Sequence, residues 1–491
     1  MAIEFYSAAQ SRAIDRFAIE QQGITGLLLM KRAGLFAFET LRQCYPQARK
    51  LLILCGGGNN GGDGLIVAQL AVMAGMEVTV HLTTSPQNLH GDAAKAYREL
   101  AALGIECEAF QPSQLAECDV IVDALFGIGL DRPISGSLAE LVQQVNASNK
   151  PVLALDIASG IHADTGCVLG HAIRAQHTCT FITYKPGLYQ YQGADYCGQI
   201  HFSDLFLDNE ILHSQTQQAS SHGLAYWRKQ LPPRPLSSHK GSAGSATLIG
   251  GDHHMMGAIQ MAGLAALKVG AGLVKVVTHE AHGIALAQAL PELMCYPPDE
   301  LLPLISQAKA IAIGPGLGLE PWGQQFFEQT LAQPESKTLP MVMDADALKH
   351  LAKSPEKRNN WILTPHPGEA GILLGTDSQQ VQQDRFAAIK ALQQRYGGVI
   401  VLKGNGTLIY DGTHMEMCLA GNPGMAVGGM GDVLTGTLAG LLAQGLPLFT
   451  AACLGVYLHA RAGDILAKTE ARGLLPTELA ETLPGLLSFS E

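Results

Sequence analysis

Gly421-Asn-Pro-Gly-Met-Ala-Val-Gly-Gly-Met-Gly-Asp-Val-Leu-Thr-Gly436 decides the reading of this chain. Gly428, Gly429 and Gly431 crowd up to one acid, Asp432, and an apolar helical pattern follows at once. Glycines let backbone N–H groups converge on one point, and a helix start adds free N–H groups and the positive end of a dipole. The result is a cradle for phosphate or an oxyanion. An acid inside such a cradle is badly placed to bind phosphate and well placed to take a proton from a neighbouring hydroxyl. The stretch therefore points to chemistry on a hydroxyl beside a nucleotide phosphate.

The 491 residues call for more than one domain. Hydrophobic residues at 47% and charged residues at 15% fit globular domains with large cores. A net charge of −11 speaks against a nucleic-acid or anionic-membrane partner, which would need a basic face. No apolar run reads as a membrane span, and the N-terminus lacks the pattern of a signal peptide. Ten scattered cysteines without C-x-x-C spacing read as thiols in a reducing, cytoplasmic compartment. Apolar helices such as 258–269 permit assembly, and a homo-oligomer is expected.

Outward from the decisive stretch, strand-like runs alternate with helix-like ones. In the first half, strands are expected at 51–55, 78–82, 120–125, 152–157 and 178–183, with helices such as 91–103 and 138–145. In the second, strands are expected at 246–249, 273–277, 310–313, 341–343, 361–363, 399–402 and 407–410. Helices there are expected at 258–269, 379–396, 432–442 and 450–468. This rhythm implies parallel sheets with crossover helices. It breaks at 213–240, which holds three prolines and many small polar residues. The expected division is a domain over 1–214, a linker leading into the next domain over 215–240, and a second α/β domain over 241–491.

In the first half, the strand at 51–55 runs into GGGNNGGDG, Gly56 to Gly64. Gly56, Gly58 and Gly61 satisfy G-x-G-x-x-G, but the second strand ends His81-Leu82-Thr83 without the acid that grips a dinucleotide ribose. A hydride-transferring site is therefore disfavoured. The loop supplies Asn59, Asn60 and Asp63 instead. Asp123 and Asp156 stand at the ends of later strands, where the crevice of an open parallel sheet lies. Asn60, Asp123 and an oxygen near Ser159 could form an all-oxygen site for a hard cation. Gly127 to Pro133 offers backbone N–H groups and one arginine, Arg132. Lys185 follows the strand at 178–183 and could hold phosphate or assist proton transfer.

In the second half, Gly250–Asp252, Gly314–Gly318, Asp344–Asp346, Thr364–Glu369 and Lys403–Thr407 each fall just past an expected strand, so all could border one crevice. Lys403-Gly404-Asn405-Gly406-Thr407 supplies a cation, turn glycines and a hydroxyl for a nucleotide. His366, clamped between prolines, is a candidate substrate contact. Asp344 and Asp346 read as helix-capping acids.

Four segments in order, GGGNNGGDG, VDALFGIGLDRP, DIASGIHADTG and TFITYKPG, resemble the N-terminal domain of the bifunctional NAD(P)H-hydrate repair enzymes. TPHPGE and NPGMAVGGMGD resemble the dehydratase branch of the ribokinase-like fold. The resemblance implies a Rossmann-like α/β domain followed by a ribokinase-like α/β domain. It implies that the first domain interconverts the R and S hydrates NADHX and NADPHX, an isomerase activity. The second would be a lyase, dehydrating the S form at the expense of ADP and giving NAD(P)H, AMP and phosphate. It implies hydrate contacts at Asn59, Asn60, Gly61, Gly62 and Asp63, at Gly127, Ile128, Gly129, Leu130, Asp131, Arg132 and Pro133, and at Asp156. Potassium ligands at Asn60, Asp123 and Ser159 are implied as well. For the second domain the implied hydrate contacts are Ala258, Gly316, Gly318, His366 and Asp432. Lys403, Gly404, Asn405, Gly406, Thr407 and Gly431 would meet the nucleotide, with magnesium. Asp432 is the expected general base there; Asp156, then Lys185, are the expected acid–base groups of the first domain. Two segments depart from the family pattern: Leu29-Met30-Lys31-Arg32-Ala33-Gly34 is basic where an acid is usual, and Asp252-His-His-Met-Met-Gly-Ala258 lacks the usual tyrosine. The competing reading is a vitamin or sugar kinase fused to a non-catalytic nucleotide-binding module.

Overall fold

A computed structural model describes residues 2–469 and 472–488 and divides them into two compact units. One unit is Ile3–Ala219; the other holds the described residues from Ser220 onward, with Ala2.

The first unit is built on a seven-stranded parallel sheet. Its spatial order is Cys107–Glu108, Glu77–Leu82, Lys50–Cys55, Val120–Ala124, Val152–Leu155, His177–Phe181, Gln199–Ser203. The central strands are almost wholly buried, which is why they read as continuous apolar runs. From Lys50–Cys55 the chain first builds outward to one side. It then returns to place Val120–Ala124 on the other. Strand order reverses between those two strands, and a parallel sheet opens a crevice at the carboxyl ends there. Residues Asn59–Met73 form a helix. The segment expected as a loop up to Gly64 is therefore already helical from Asn59.

The second unit repeats the device with a different sheet. From Ala219–Ser221 the order is Met415–Cys418, Thr407–Tyr410, Val399–Leu402, Trp361–Leu363, Met341–Met343, Ala310–Ile313, Ser245–Ile249, Leu273–Val277 and Met294–Tyr296. Thr407–Tyr410 runs antiparallel to both neighbours, and the other pairings are parallel. The reversal of order falls between Ser245–Ile249 and Ala310–Ile313.

Met256–Lys268 and Met430–Ala443 pack together across this sheet. They approach so closely that a Cβ on Gly436 would collide with the Ala262 carbonyl. The first of these apolar helices also packs on Pro476–Leu487. Its apolar surface is thus used inside its own unit, and the argument from it to self-assembly lapses. The stretch 215–240 contributes the strand Ala219–Ser221 and the helix Leu224–Arg228, whose Trp227 is buried in the second unit's core. The run expected as one helix over 379–396 is two, Ser378–Gln383 and Arg385–Tyr396, because Asp384 breaks the pattern and caps the second through Ala387 N at 2.8 Å.

Among the described residues, no helix is long and apolar enough to cross a membrane. All ten cysteines are free.

Candidate functional sites

In the first unit, a cavity of about 460 Å³ opens at the switch point. Asn59, Asn60 and Asp63, from the first turns of Asn59–Met73, line it. So do Gly127–Leu130, Asp156 and Lys185. Four segments far apart in sequence therefore converge as expected. Asp131, Arg132 and Pro133 are exposed and form no part of the cavity wall. Gly61 and Gly62 are buried and serve packing: a side chain on Gly61 would strike the Gly56 carbonyl, and one on Gly62 would strike Met30.

Asp156 and Lys185 form the charged centre. Lys185 is 1% exposed, and its ammonium donates to Asp156 Oδ1 at 2.6 Å, Thr180 Oγ1 at 3.0 Å and the Phe181 carbonyl at 2.7 Å. Those contacts account for all three of its hydrogens. Asp156 Oδ2 accepts from Ile128 N at 3.2 Å, so the carboxylate ties the strand end to the Gly127–Leu130 loop. Its backbone is left-handed, with φ at 66°. For a residue with a side chain that conformation is strained and persists only where the surroundings impose it.

Two acids unremarked as a group in the sequence, Asp15 and Asp92, join Asp63 in the cavity wall. Asp63 keeps some exposed surface, yet burial and then the charges of Asp156 and Asp15 hold its carboxyl well above the usual range. Burial first, then Asp156 and Asp92, likewise raises Asp15.

Beneath this cavity lies an oxygen cluster. Asp123 is fully buried and accepts from Ser159 N at 2.8 Å, Ser159 Oγ at 2.6 Å and Leu125 N at 3.2 Å. Burial pushes its carboxyl up to about 6 against the pull of those bonds. The Asn60 amide is buried nearby: it stands 3.3 Å from where a Cβ on Gly127 would lie, and both its oxygen and its nitrogen lack a protein partner. A buried amide left without a bond costs about 1–3 kcal/mol, so a water or an ion is suited to this position.

In the second unit, every expected segment lies at the carboxyl end of a parallel strand. Gly250–Asp252 follows Ser245–Ile249, Gly314–Gly318 follows Ala310–Ile313, and Lys403 follows Val399–Leu402. Helix Met430–Ala443 aims its start at the same edge. Gly429 caps it at φ 99°, a left-handed turn that suits only glycine. Gly431 and Asp432, in the first turn, have no carbonyl one helical turn back to accept their N–H groups.

Asp432 sits among charges. Burial, then Asp344, raises its carboxyl to about 7, with Lys403 opposing and Asp346 and Glu369 adding smaller pushes. Lys403 Nζ lies 2.7 Å from Asp344 Oδ1 and 3.7 Å from Glu369 Oε2. Gly431 has no side chain to crowd this pair: a Cβ there would lie 3.3 Å from Asp344 Oδ2 and 3.4 Å from Lys403 Nζ.

Asp344 corrects the sequence reading. Its side chain caps no helix; it is 2% exposed and bonds Lys403 and Thr435 Oγ1, the latter at 2.8 Å. Its position directly after the strand Met341–Met343 was the available signal. Asp346 binds Gly318 N at 3.0 Å and Lys349 Nζ at 2.9 Å, and so fixes the loop that carries Gly316 and Gly318. Gly316 borders Ala258, at 3.2 Å from a Cβ built on the glycine.

His366 caps helix Pro367–Leu374, its Nδ1 accepting from Gly368 N at 3.0 Å and Glu369 N at 3.3 Å. Glu369 returns a bond to His366 N at 2.8 Å, and the far side of the imidazole is exposed at the site. The turn Lys403–Thr407 closes on itself through Thr407 Oγ1 and the Gly404 carbonyl at 2.8 Å. Gly404, Asn405 and Gly406 form its tip. Below it Arg385, 1% exposed, donates to the carbonyls of Leu402 at 3.2 Å and Gly406 at 3.1 Å. Nothing in the 379–396 helical pattern marks that arginine as the support of this turn.

Comparison with known proteins finds relatives of both units. The family described as NAD(P)H-hydrate dehydratase matches residues 246–485, and the YjeF-related protein N-terminus matches 26–187. A bifunctional NAD(P)H-hydrate repair enzyme of Coxiella burnetii is 44% identical over 96% of this chain and 97% of its own. Its Escherichia coli counterpart is 44% identical over 96% and 92%. Among solved structures, a ribokinase-like superfamily protein of Enterococcus faecalis matches with a TM-score of 0.52 at 33% identity, over 56% of this chain and 96% of its own. A hypothetical protein of Streptococcus mutans matches at 0.51 and 33%, over 54% and 98%.

Proposed function

The chain belongs to the bifunctional NAD(P)H-hydrate repair enzymes, and we propose that Asp432 and Asp156 are the proton-handling residues of its two activities. It restores hydrated NADH and NADPH: the first unit interconverts the R and S forms, and the second dehydrates the S form with a nucleotide as co-substrate. The observation that carries the dehydratase assignment is Asp432, a carboxylate raised to about 7 at the mouth of a glycine cradle beside Lys403.

The hydrate carries a hydroxyl at C6 of the reduced nicotinamide ring, and hydroxide leaves poorly near neutral pH. Asp432 takes the proton of that hydroxyl as its oxygen attacks the terminal phosphate of ADP. A base with a pKa near the working pH suits that transfer. N–H groups of the Gly428–Gly431 turn face the developing charge, and Lys403 adds a fixed positive charge; one such oxyanion donor contributes about 3–4 kcal/mol. AMP departs, phosphate leaves C6 with the push of the ring nitrogen lone pair, the resulting iminium loses a proton from C5, and NAD(P)H remains. His366 and Ala258 border the hydrate, while the Lys403–Thr407 turn borders the nucleotide. The acids Asp344, Asp346, Glu369 and Asp432 outweigh Lys403 locally, a donor set suited to magnesium brought with the nucleotide. Bound there, magnesium would neutralise phosphate charge.

In the first unit Asp156 exchanges the proton with the hydrate. Lys185, with all its hydrogens engaged, holds Asp156 in place. The unpartnered Asn60 amide, with Asp123 and Ser159, fits potassium. That ion would supply positive charge for the dinucleotide's phosphates. Ten free thiols favour a reducing compartment such as the cytoplasm.

The test is incubation of the protein with ADP and separated R and S hydrates. Phosphate release in step with regained absorbance of the reduced ring supports the proposal. A stable phosphorylated product would instead support the kinase reading, and dehydration of the S form without consumption of the R form would make the first unit a binding module.

A further inference from the structure

At the opposite end of the first unit's sheet from the cavity, three side chains converge that neither activity uses. His177 begins the strand His177–Phe181, and His201 lies on the adjacent parallel strand Gln199–Ser203. The register pairs Cys179 with His201 and His177 with Gln199, so the two imidazoles rise from the same face of the sheet on a diagonal. Helix Gly26–Cys44 packs on that face and ends there, and its last residue is Cys44. His177 Nδ1 and His201 Nε2 are 3.0 Å apart; Cys44 Sγ lies 3.7 Å from the first and 3.9 Å from the second.

We propose that Cys44, His177 and His201 form a binding site for a zinc-type divalent transition metal ion. Four-coordinate zinc, with bonds of about 2.0–2.1 Å to nitrogen and 2.3 Å to sulfur, requires ligand separations of about 3.3 Å between nitrogens and about 3.6 Å between nitrogen and sulfur. The observed triangle is within a few tenths of an ångström of that on every edge. One thiolate and two imidazoles are the donor types that zinc selects over magnesium or calcium. The three residues are each half-buried, so an ion can enter and a water can take the fourth position. Burial holds both imidazoles below their ordinary pKa and therefore neutral, with lone pairs available. Burial also holds the Cys44 thiol protonated, so binding expels one proton to solution. The helix end adds to the fit, because its carbonyl dipole favours positive charge. The ion would clamp helix Gly26–Cys44 to the strand whose other end, about 13 Å away at its rise per residue, passes Phe181 to Lys185.

The test uses the full-length metal-free chain with zinc and cobalt salts. One equivalent of zinc should bind with proton release and raise the melting temperature. Cobalt should give a sulfur-to-cobalt charge-transfer band in the near ultraviolet. Cys44→Ser should abolish the band and weaken zinc binding at least about tenfold, while Cys107→Ser leaves both unchanged. His201→Asn should weaken zinc binding to a similar extent, and epimerisation should persist in both site variants. Absence of the band in the unmodified protein overturns the proposal, whether or not any variant folds. So does a band that survives Cys44→Ser.

Discussion

Asp344 divides its carboxylate between Lys403 and the helix that carries Asp432: one oxygen takes the Lys403 ammonium at 2.7 Å and the other the Thr435 hydroxyl at 2.8 Å. The charge of Asp344 also helps keep Asp432 protonated up to about pH 7. Asp344→Asn removes that charge and frees the field of Lys403 to act on Asp432. The acid limb of the dehydratase pH–rate profile should therefore move to lower pH. A limb that stays in place would separate Asp432 from the titration that controls the rate.

Asp432→Asn should lower dehydration about 100-fold or more, the usual cost of losing a general base, while R–S interconversion continues. It should also change stability with a definite sign. A carboxylate raised from 3.8 to about 7 in the fold favours the folded state fully below its unfolded pKa, and that contribution is lost as pH rises through 7. The asparagine variant should therefore gain melting temperature over the parent at pH 8 and show a smaller gain at pH 4. Melting curves at the two pH values check this.

Lys185→Met leaves Asp156 without its ion-pair partner. Loss of one member of such a buried pair costs about 3–5 kcal/mol. The first unit should melt earlier and epimerisation should fall, with dehydration of the pure S form kept at temperatures where both units stay folded. Unfolding followed by a probe in each unit distinguishes the two responses.

Asp123→Asn removes the charge from the oxygen cluster around Ser159 and the Asn60 amide. Epimerisation by the unmodified protein should fall when potassium is replaced by a bulky organic cation and recover when it is restored. The variant should have lost that response. A parent protein indifferent to potassium would leave the Asn60 amide in need of a different ligand.

His366→Ala removes a side-chain cap of Pro367–Leu374, which costs about 1 kcal/mol, and a polar edge of the dehydratase site. The KM for hydrate should rise. His366→Asn, which can still accept from the helix N–H groups, should recover stability without recovering KM.

Most of the architecture was legible because parallel strands buried on both faces leave short apolar runs bounded by turn residues. Leu273–Val277, Ala310–Ile313, Met341–Met343 and Val399–Leu402 fall where those runs predict. Met294–Tyr296 and Met415–Cys418 were missed: they lie toward the flank of the sheet, the first is only three residues long, and Glu416 interrupts the apolar pattern of the second. Asn59–Asp63 was legible as a site but not as a helix, since its glycines conceal the 3.6-residue period. The pairing of Lys403 with Asp344 spans 59 residues and depends on two strands that flank a common third one, a relationship no local pattern encodes. Arg385 and the Cys44–His177–His201 triangle were hidden for the same reason.

The left-handed backbone of Asp156 has an evolutionary and a practical edge. Glycine would relax that peptide by about 1 kcal/mol, yet it would strand the buried Lys185 ammonium at a cost of about 3–5 kcal/mol. A screen that rewards heat resistance alone therefore keeps this residue. Strain at the strand end is tolerated because the ion pair outweighs it.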